Sequence, residues 1–180
     1  MTSLCAGAFV LRPFTPSDAP AFAAAVSESM ATVGKWMPWA GAGFGEADAL
    51  TWFDSCESAR ANGSAHEFGI FRRDGGALVG GAGLNQFNPN YRFCNLGYWV
   101  RESAQRQGAA LASVAALCRY AFEELALTRV ELVIADGNAA SIAVARKAGA
   151  THECLARNRL RLNDAPIAAH VFSLLPESRA

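Results

Sequence analysis

The residues best suited to chemistry lie between Gln105 and Ala110. Gln105-Arg106-Gln107-Gly108-Ala109-Ala110 follows an apolar stretch ending Tyr98-Trp99-Val100 and precedes a segment with Leu111, Val114, Ala115, Cys118, Ala121, Phe122 and Leu125. That three- and four-residue spacing predicts a helix with one apolar stripe, so the six residues form the turn that opens it. Unpaired backbone N–H groups meet the positive end of the helix dipole there, the small residues leave an anion room, and Arg106 adds a charge. A phosphate-bearing ligand fits such a turn; an ordinary strand-to-helix connection also favours Gly108. A second polar cluster is Asn138-Ala139-Ala140-Ser141. Asn138 suits the N-cap of a following helix, and the Ser141 hydroxyl either points outward from the first turn or bonds local backbone.

These two clusters carry a resemblance. Gln105-x-x-Gly108-x-Ala110 after Gly97-Tyr98-Trp99-Val100 resembles the acetyl-CoA signature of the GCN5-related N-acetyltransferases (GNAT superfamily). Asn138-x-x-Ser141 with Val144, Lys147 and Gly149 resembles that superfamily's second motif. Gly97-Tyr98-Trp99 together with Trp36-Met37-Pro38-Trp39 resembles the RimJ/RimL-like branch, which acetylates N-termini of ribosomal proteins. The match runs in order over nearly the whole chain.

The resemblance implies a single domain over residues 1–180 with an α/β (α+β) GNAT fold. One central, mixed, mostly antiparallel sheet of about seven strands would carry helices on both faces. It implies an acetyl-CoA-dependent N-acetyltransferase in which a bound primary amine attacks the thioester directly. The acceptor would be the N-terminal α-amine of a ribosomal or other protein, or a peptide; a small-molecule amine, or a non-catalytic acyl-CoA binder, are the alternatives. Tyr98, Trp99, Val100, Gln105, Arg106, Gln107, Gly108, Ala109, Ala110, Asn138 and Ser141 would contact acetyl-CoA. Trp36, Trp39 and Asn95 would face the acceptor.

Where many members carry a tyrosine that protonates the leaving thiolate, this chain has Ala145, which leaves Ser141 as the catalytic group. Where many have a glutamate before Leu96, it has Asn95, which cannot act as a base. Glu67, Glu153, His66 and His170 are the remaining candidates for accepting the amine's proton. Ala168 and Phe172 stand where relatives often have an acidic residue and a tyrosine.

Composition agrees with a cytoplasmic enzyme that uses neither metal nor nucleic acid nor a membrane. The 180 residues contain 16 Lys plus Arg against 16 Asp plus Glu, so no polyanion-binding surplus exists, and 52% are hydrophobic, enough for a core without staples. Five unpatterned cysteines suit a reducing compartment, and three histidines far apart in sequence offer no metal-ligand spacing. No apolar run approaches the ~18 residues of a membrane span, and the start lacks a leader pattern. The oligomeric state is a monomer or a homodimer.

The elements that must position these groups follow in order. Ala8 to Phe14 reads as a strand and Ser17 or Asp18 as the cap of a helix with Ala21, Phe22, Ala25, Val26 and Met30 on one face. The Trp36–Trp39 loop needs a surface to pack on, core or ligand. A helix from Glu46 to Ala61, indicated by the spacing of Leu50, Phe53, Cys56 (or Glu57) and Arg60, ends near Asn62-Gly63. Strands follow at 67–72 and 77–84, joined through Asp74-Gly75. Gly80, Gly81 and Gly83 in the second cost stability unless another backbone comes close. After a turn, alternation over 92–100 puts Cys94, Leu96, Tyr98 and Val100 on one face and Asn95, Gly97 and Trp99 on the other. A buried strand at 129–135, a helix ending at Gly149 and a hairpin of 154–162 with 167–175 complete the chain. Arg157, Arg159 and Arg161 would form a basic row on its first strand.

Overall fold

The computed structural model of the chain describes residues 3–176. One sheet runs through it, of strands β1 (Leu4–Ala6), β2 (Phe9–Arg12), β3 (His66–Arg72), β4 (Leu78–Asn88), β5 (Phe93–Val100), β6 (Arg129–Ala135), β7 (Thr151–Leu162) and β8 (Ala165–Leu174). Their order across it is β1-β2-β3-β4-β5-β6-β8-β7. Only β5 and β6 are parallel. The expected sheet is thus present with eight strands, the additional one being the short β1, which pairs with β2 around Gly7 at φ +63°. Three residues carry too little periodicity to be read as a strand.

Helices α1 (Ala19–Glu28) and α2 (Glu46–Ala61) cover one face; α3 (Ala109–Arg119) and α4 (Ala139–Lys147) cover the other. Residues alternate between these two cores as β5 passes between them: Cys94, Leu96, Tyr98 and Val100 pack towards α3 and α4, Trp99 towards α1 and α2. The α3 stripe is displaced from its expected position. Val114 and Ala121 are buried, but Ala109, Ser113, Ala116 and Leu117 complete the inward arc and Ala115 is exposed. An alanine-rich helix is apolar nearly all round, so spacing admits several stripes and packing selects one. The buried Ser113 hydroxyl is satisfied by the Ala109 carbonyl at 2.8 Å. On the other face Ala21, Met30 and Leu50 turn outward from the arcs formed by Phe22, Ala25 and Val26 in α1 and by Ala49, Phe53 and Cys56 in α2.

The α1/α2 core is aromatic. Phe22 is 1% exposed and meets Phe14, Phe53 and Trp99 edge to face at centroid distances of 5.3, 5.4 and 5.2 Å. Phe14 stacks on Phe53 at 4.6 Å. Each such pair adds ~0.5–1.5 kcal/mol to the burial itself. Buried cysteines behave as hydrophobes: desolvation pushes the thiols of Cys56, Cys94 and Cys118 up to about 12. No helix among the described residues is long and apolar enough to cross a membrane. The Arg157–Arg161 row is interrupted, because Asn158 is left-handed at φ +51° and the β7–β8 register shifts between Ala156 and Leu160.

Entry into α1 depends on Asp18, which is the N-cap residue of α1 as expected and also ends a 3-10 turn (Pro16–Asp18), its side chain bonding back to Thr15 rather than to an α1 amide. Its carboxylate receives both Arg12 Nη1 and Nη2 at 2.8 Å, the Thr15 amide at 2.8 Å and the Thr15 hydroxyl at 2.9 Å. Burial alone would raise its pKa, but the Arg12 and Thr15 bonds outweigh burial and hold it below the usual carboxylate range. The contribution is therefore complete above the unfolded value of ~3.9 and is lost as pH falls through the lower folded value. Asp18→Ala should cost about 2 kcal/mol in urea unfolding at pH 7 and much less near pH 3.

Candidate active site

The site is built around a gap in the sheet. β5 and β6 pair at only three positions, Phe93 with Arg129, Cys94 with Val130 and Asn95 with Glu131. Beyond them β5 continues to Val100 paired with β4, and β6 continues to Ala135 paired with β8. The facing edges of Leu96–Val100 and Leu132–Ala135 therefore have no strand partner, and a chain bearing amide groups could pair with either.

The Gln105–Ala110 turn lies beyond the end of β5. Gly108 is left-handed at φ +87°, where a side chain would be strained, and forms the N-cap of α3. Arg106 is also left-handed at φ +60° and is exposed. Ala109 is buried and Ala110 half-buried, and the amides of this first turn have no partner within the helix. Gln105 is committed to positioning: its Nε2 donates to the Val100 carbonyl at 3.3 Å and to Thr32 Oγ1 at 3.2 Å. Gln107 donates to the Ser103 carbonyl at 3.0 Å and accepts from Arg72, which brings a second cation to the turn.

The end of α1 fixes this loop. Glu28 pairs with Arg101 and accepts the Ser103 amide at 2.6 Å, and those bonds pull its carboxyl down to about 2. The Ser29 hydroxyl accepts the Glu102 amide at 3.0 Å.

Across the gap, Asn138 Oδ1 accepts the Ser141 amide at 3.2 Å, so Asn138 does cap α4. Ala145 is fully buried in the α3/α4 core. Among the described residues the Tyr98 hydroxyl is buried without a hydrogen-bond partner. Burial pushes its pKa up, and the neighbouring Ser141 hydroxyl pulls it part of the way back. The two hydroxyls are close but not in bonding geometry.

On the opposite face of β5 a cavity of about 330 Å³ opens between the sheet and the segment joining α1 to α2. Phe14, Phe22, Trp39, Phe44, Trp52 and Trp99 line it, and so does Glu67. The two tryptophans expected over the acceptor therefore separate. Trp39 is on the cavity rim, 44% exposed although it contacts Phe22, Phe44 and Trp99. Trp36 lies instead against the turn before α4, its ring 3.8 Å from where a Cβ on Gly137 would be. Asn95 is one residue removed from the cavity: its Nδ2 donates to Asn85 Oδ1 at 2.9 Å, and Asn85 Nδ2 donates to Glu67 Oε1 at 3.1 Å. Trp99, grouped by its sequence position with Tyr98, faces away from it into this cavity.

The four candidate proton acceptors differ sharply. Glu153 is bound by both Arg129 nitrogens at 2.6 Å and by the Ser173 hydroxyl at 2.7 Å, which pulls it to about 2. His66 bonds the Tyr120 hydroxyl at 3.0 Å, and burial lowers its pKa. His170, far from His152 in sequence, meets it at 3.0 Å across β7 and β8 and reaches Asp136 at 3.2 Å. Only Glu67 lines the cavity, and burial raises its pKa despite the Asn85 bond and the Arg60 charge. Phe14, Phe44 and Trp52 had no sequence signal beyond being aromatic, since they come from a strand end, a loop and the outer side of α2.

A carboxylate with a raised folded pKa destabilises the fold above that value and ceases to do so when protonated in both states. Glu67→Gln should thus raise the thermal unfolding midpoint at pH 7, with the gain vanishing towards pH ~4, where the unfolded carboxyl is also protonated.

Comparison with known proteins gives the site its context. Residues 9–151 match the family described as the acetyltransferase (GNAT) domain. A Bacillus subtilis protein, YdaF, assigned as a ribosomal N-acetyltransferase, is 30% identical over 158 residues, 85% of this chain and 83% of its own. The structure of a Vibrio cholerae protein assigned as a ribosomal-protein-serine acetyltransferase superposes with a TM-score of 0.85 at 30% identity, covering 97% of this chain and 98% of that one. RimJ of Mycobacterium smegmatis, solved with a CoA disulfide, shares the fold at a TM-score of 0.86 and 23% identity over 98% of this chain and 87% of its own. The chain is an acyltransferase of the GNAT family and is similar to its RimJ/RimL-like ribosomal branch.

Proposed function

We propose that the enzyme transfers the acetyl group of acetyl-CoA to a primary amine, the N-terminal α-amine of a protein or peptide. The parted edges of β5 and β6 carry this reading, because they leave unpaired backbone for the amide-bearing pantetheine arm. Arg106, Gln107, Gly108, Ala109 and Ala110 would hold the pyrophosphate through backbone amides and charge. Gln105 would act by fixing Val100, whose strand edge borders the thioester. The orphaned Tyr98 hydroxyl stands beside Ser141 on the α4 side of the gap, where the ligand would supply the partner it lacks.

In the reaction, the neutral amine nitrogen attacks the thioester carbon. The C–N bond forms, the C–S bond breaks, and the thiolate leaves. The Ser141 hydroxyl donates towards the sulfur, and a thiol pKa near ~8.5 demands little of that donor. The amine's proton passes to Glu67 directly or through water. An α-amine with a pKa near ~8 needs less help than a lysine, which favours the N-terminal acceptor. The names of YdaF and of the Vibrio cholerae protein support a ribosomal protein as acceptor.

Free-thiol release from acetyl-CoA with a panel of N-terminal peptides tests this reading. Ser141→Ala should lower kcat by roughly 10- to 100-fold with little change in the acetyl-CoA KM. Gly108→Val should abolish CoA binding by calorimetry, since valine at φ +87° distorts the turn. Undiminished turnover in both variants would remove the assigned roles.

A further inference from the structure

The cavity on the α1/α2 face is shaped by three glycines. Gly81 in β4 and Gly97 in β5 line its floor, and Gly83 stands opposite both Gly97 and Glu67 in the strand register, beneath the Glu67 carboxylate. A Cβ on Gly81 would come within 2.6 Å of Trp99 Nε1, and one on Gly83 within 1.9 Å of Glu67 Oε2. The two glycines let the indole and the carboxylate lie flat against the sheet. Gly97 is different: a Cβ there would meet nothing within 4 Å, and its φ is not in the left-handed region. The space above Gly97 is open volume.

Its walls are aromatic and its charge is single. Glu67 forms no ion pair among the described residues, and its polar contact is the Asn85 amide. Arg60 reaches only the Glu67 backbone carbonyl while its guanidinium lies 4.4 Å over the Phe68 ring. An unpaired carboxylate facing an apolar chamber is costly until a cation meets it. At about 330 Å³ the chamber is at the low end of ligand pockets (~300–1,000 Å³), room for one side chain and an amine rather than a folded segment.

Resting on the transfer reading above and narrowing it, we propose that the acceptor's amine is carried beside a bulky apolar or aromatic group. Glu67 engages the ammonium and the apolar group fills the volume over Gly97, between Trp39, Phe44 and Trp99. A small or polar first residue, such as serine or alanine, leaves that volume unfilled. The shared chemistry is met by an N-terminal phenylalanine or leucine and by an arylalkylamine.

Two measurements test it. Thiol release with peptides differing only in the first residue, and with phenethylamine, should give Phe- and Leu-first peptides or phenethylamine a kcat/KM at least ~10-fold above Ser- and Ala-first peptides. Gly97→Val should cancel that preference by filling the volume, with CoA affinity measured in parallel to show that the fold survives. Separately, titrating the unmodified protein with phenethylamine should perturb tryptophan fluorescence through Trp39 and Trp99, and ethylamine at the same concentrations should not. A preference confined to peptides or to phenethylamine assigns the acceptor to protein or small molecule, and either supports the proposal. Equal or faster turnover of Ser- and Ala-first peptides overturns it and leaves acetyl transfer standing. If no amine releases thiol, the transfer reading fails, and the fluorescence titration alone decides whether the cavity takes apolar amines.

Discussion

The fold depends on a sheet that is continuous and yet split. Three parallel positions join β5 to β6, and the rest of each strand is held only from its far side. A parallel pair needs a crossover, here α3, which packs on β5, β4 and the β1–β2 side of the sheet while α4 packs on β6. The exposed edges have a standing cost in unpaired backbone groups. They stay apart because both partners are fixed elsewhere: β4 carries β5 to its end at Val100, β8 carries β6 to Ala135, and Gln105 ties the Val100 carbonyl to Thr32 after α1.

Strand alternation then divides labour across the gap. Tyr98 and Trp99 are neighbours in sequence, but their side chains enter opposite cores. One face holds two hydroxyls beside a helix start; the other holds an aromatic chamber with one carboxylate. The strand that borders both is where a reaction between two ligands can be joined, because its backbone is the one surface they share. Two halves of the chain converge on it from different directions, α4 from after the gap and the α1–α2 segment from before it.

Much of this was legible in the sequence because it rests on local rules. The bounds of α2 and β6 agree with the reading, and the two faces of β5 followed from alternation alone. The small-residue turn and the Asn138 cap were readable for the same reason. What could not be read was tertiary. The cavity is assembled from Phe14, Phe44, Trp52 and Glu67, which share no periodicity, and His170 and His152 meet only through the β7–β8 register. Gly80, Gly81 and Gly83 were recognisable as costly, but their reasons differ: Gly80 accommodates the Trp99 carbonyl, Gly81 its indole and Gly83 the Glu67 carboxylate. A sequence shows the missing side chain and not what occupies its place.

The distribution of unsatisfied polar groups points in the same direction as the geometry. Where β5 and β6 still pair, charge is closed into a network: Arg129 is shared between Glu131 and Glu153, with Ser173 closing the set. Beside the gap, on β5, stands a buried phenol with no partner among the described residues, and two strands away, on β3, a carboxylate with a neutral amide for company. Both raise the energy of the unliganded protein, and nearby groups could have compensated either one. Buried polar groups left short of partners are where a fold can give up stability for binding. Tyr98 packs against the α3/α4 core yet also borders the cavity that Glu67 lines, so β5 is the strand at which a donor on one face and an acceptor on the other would meet.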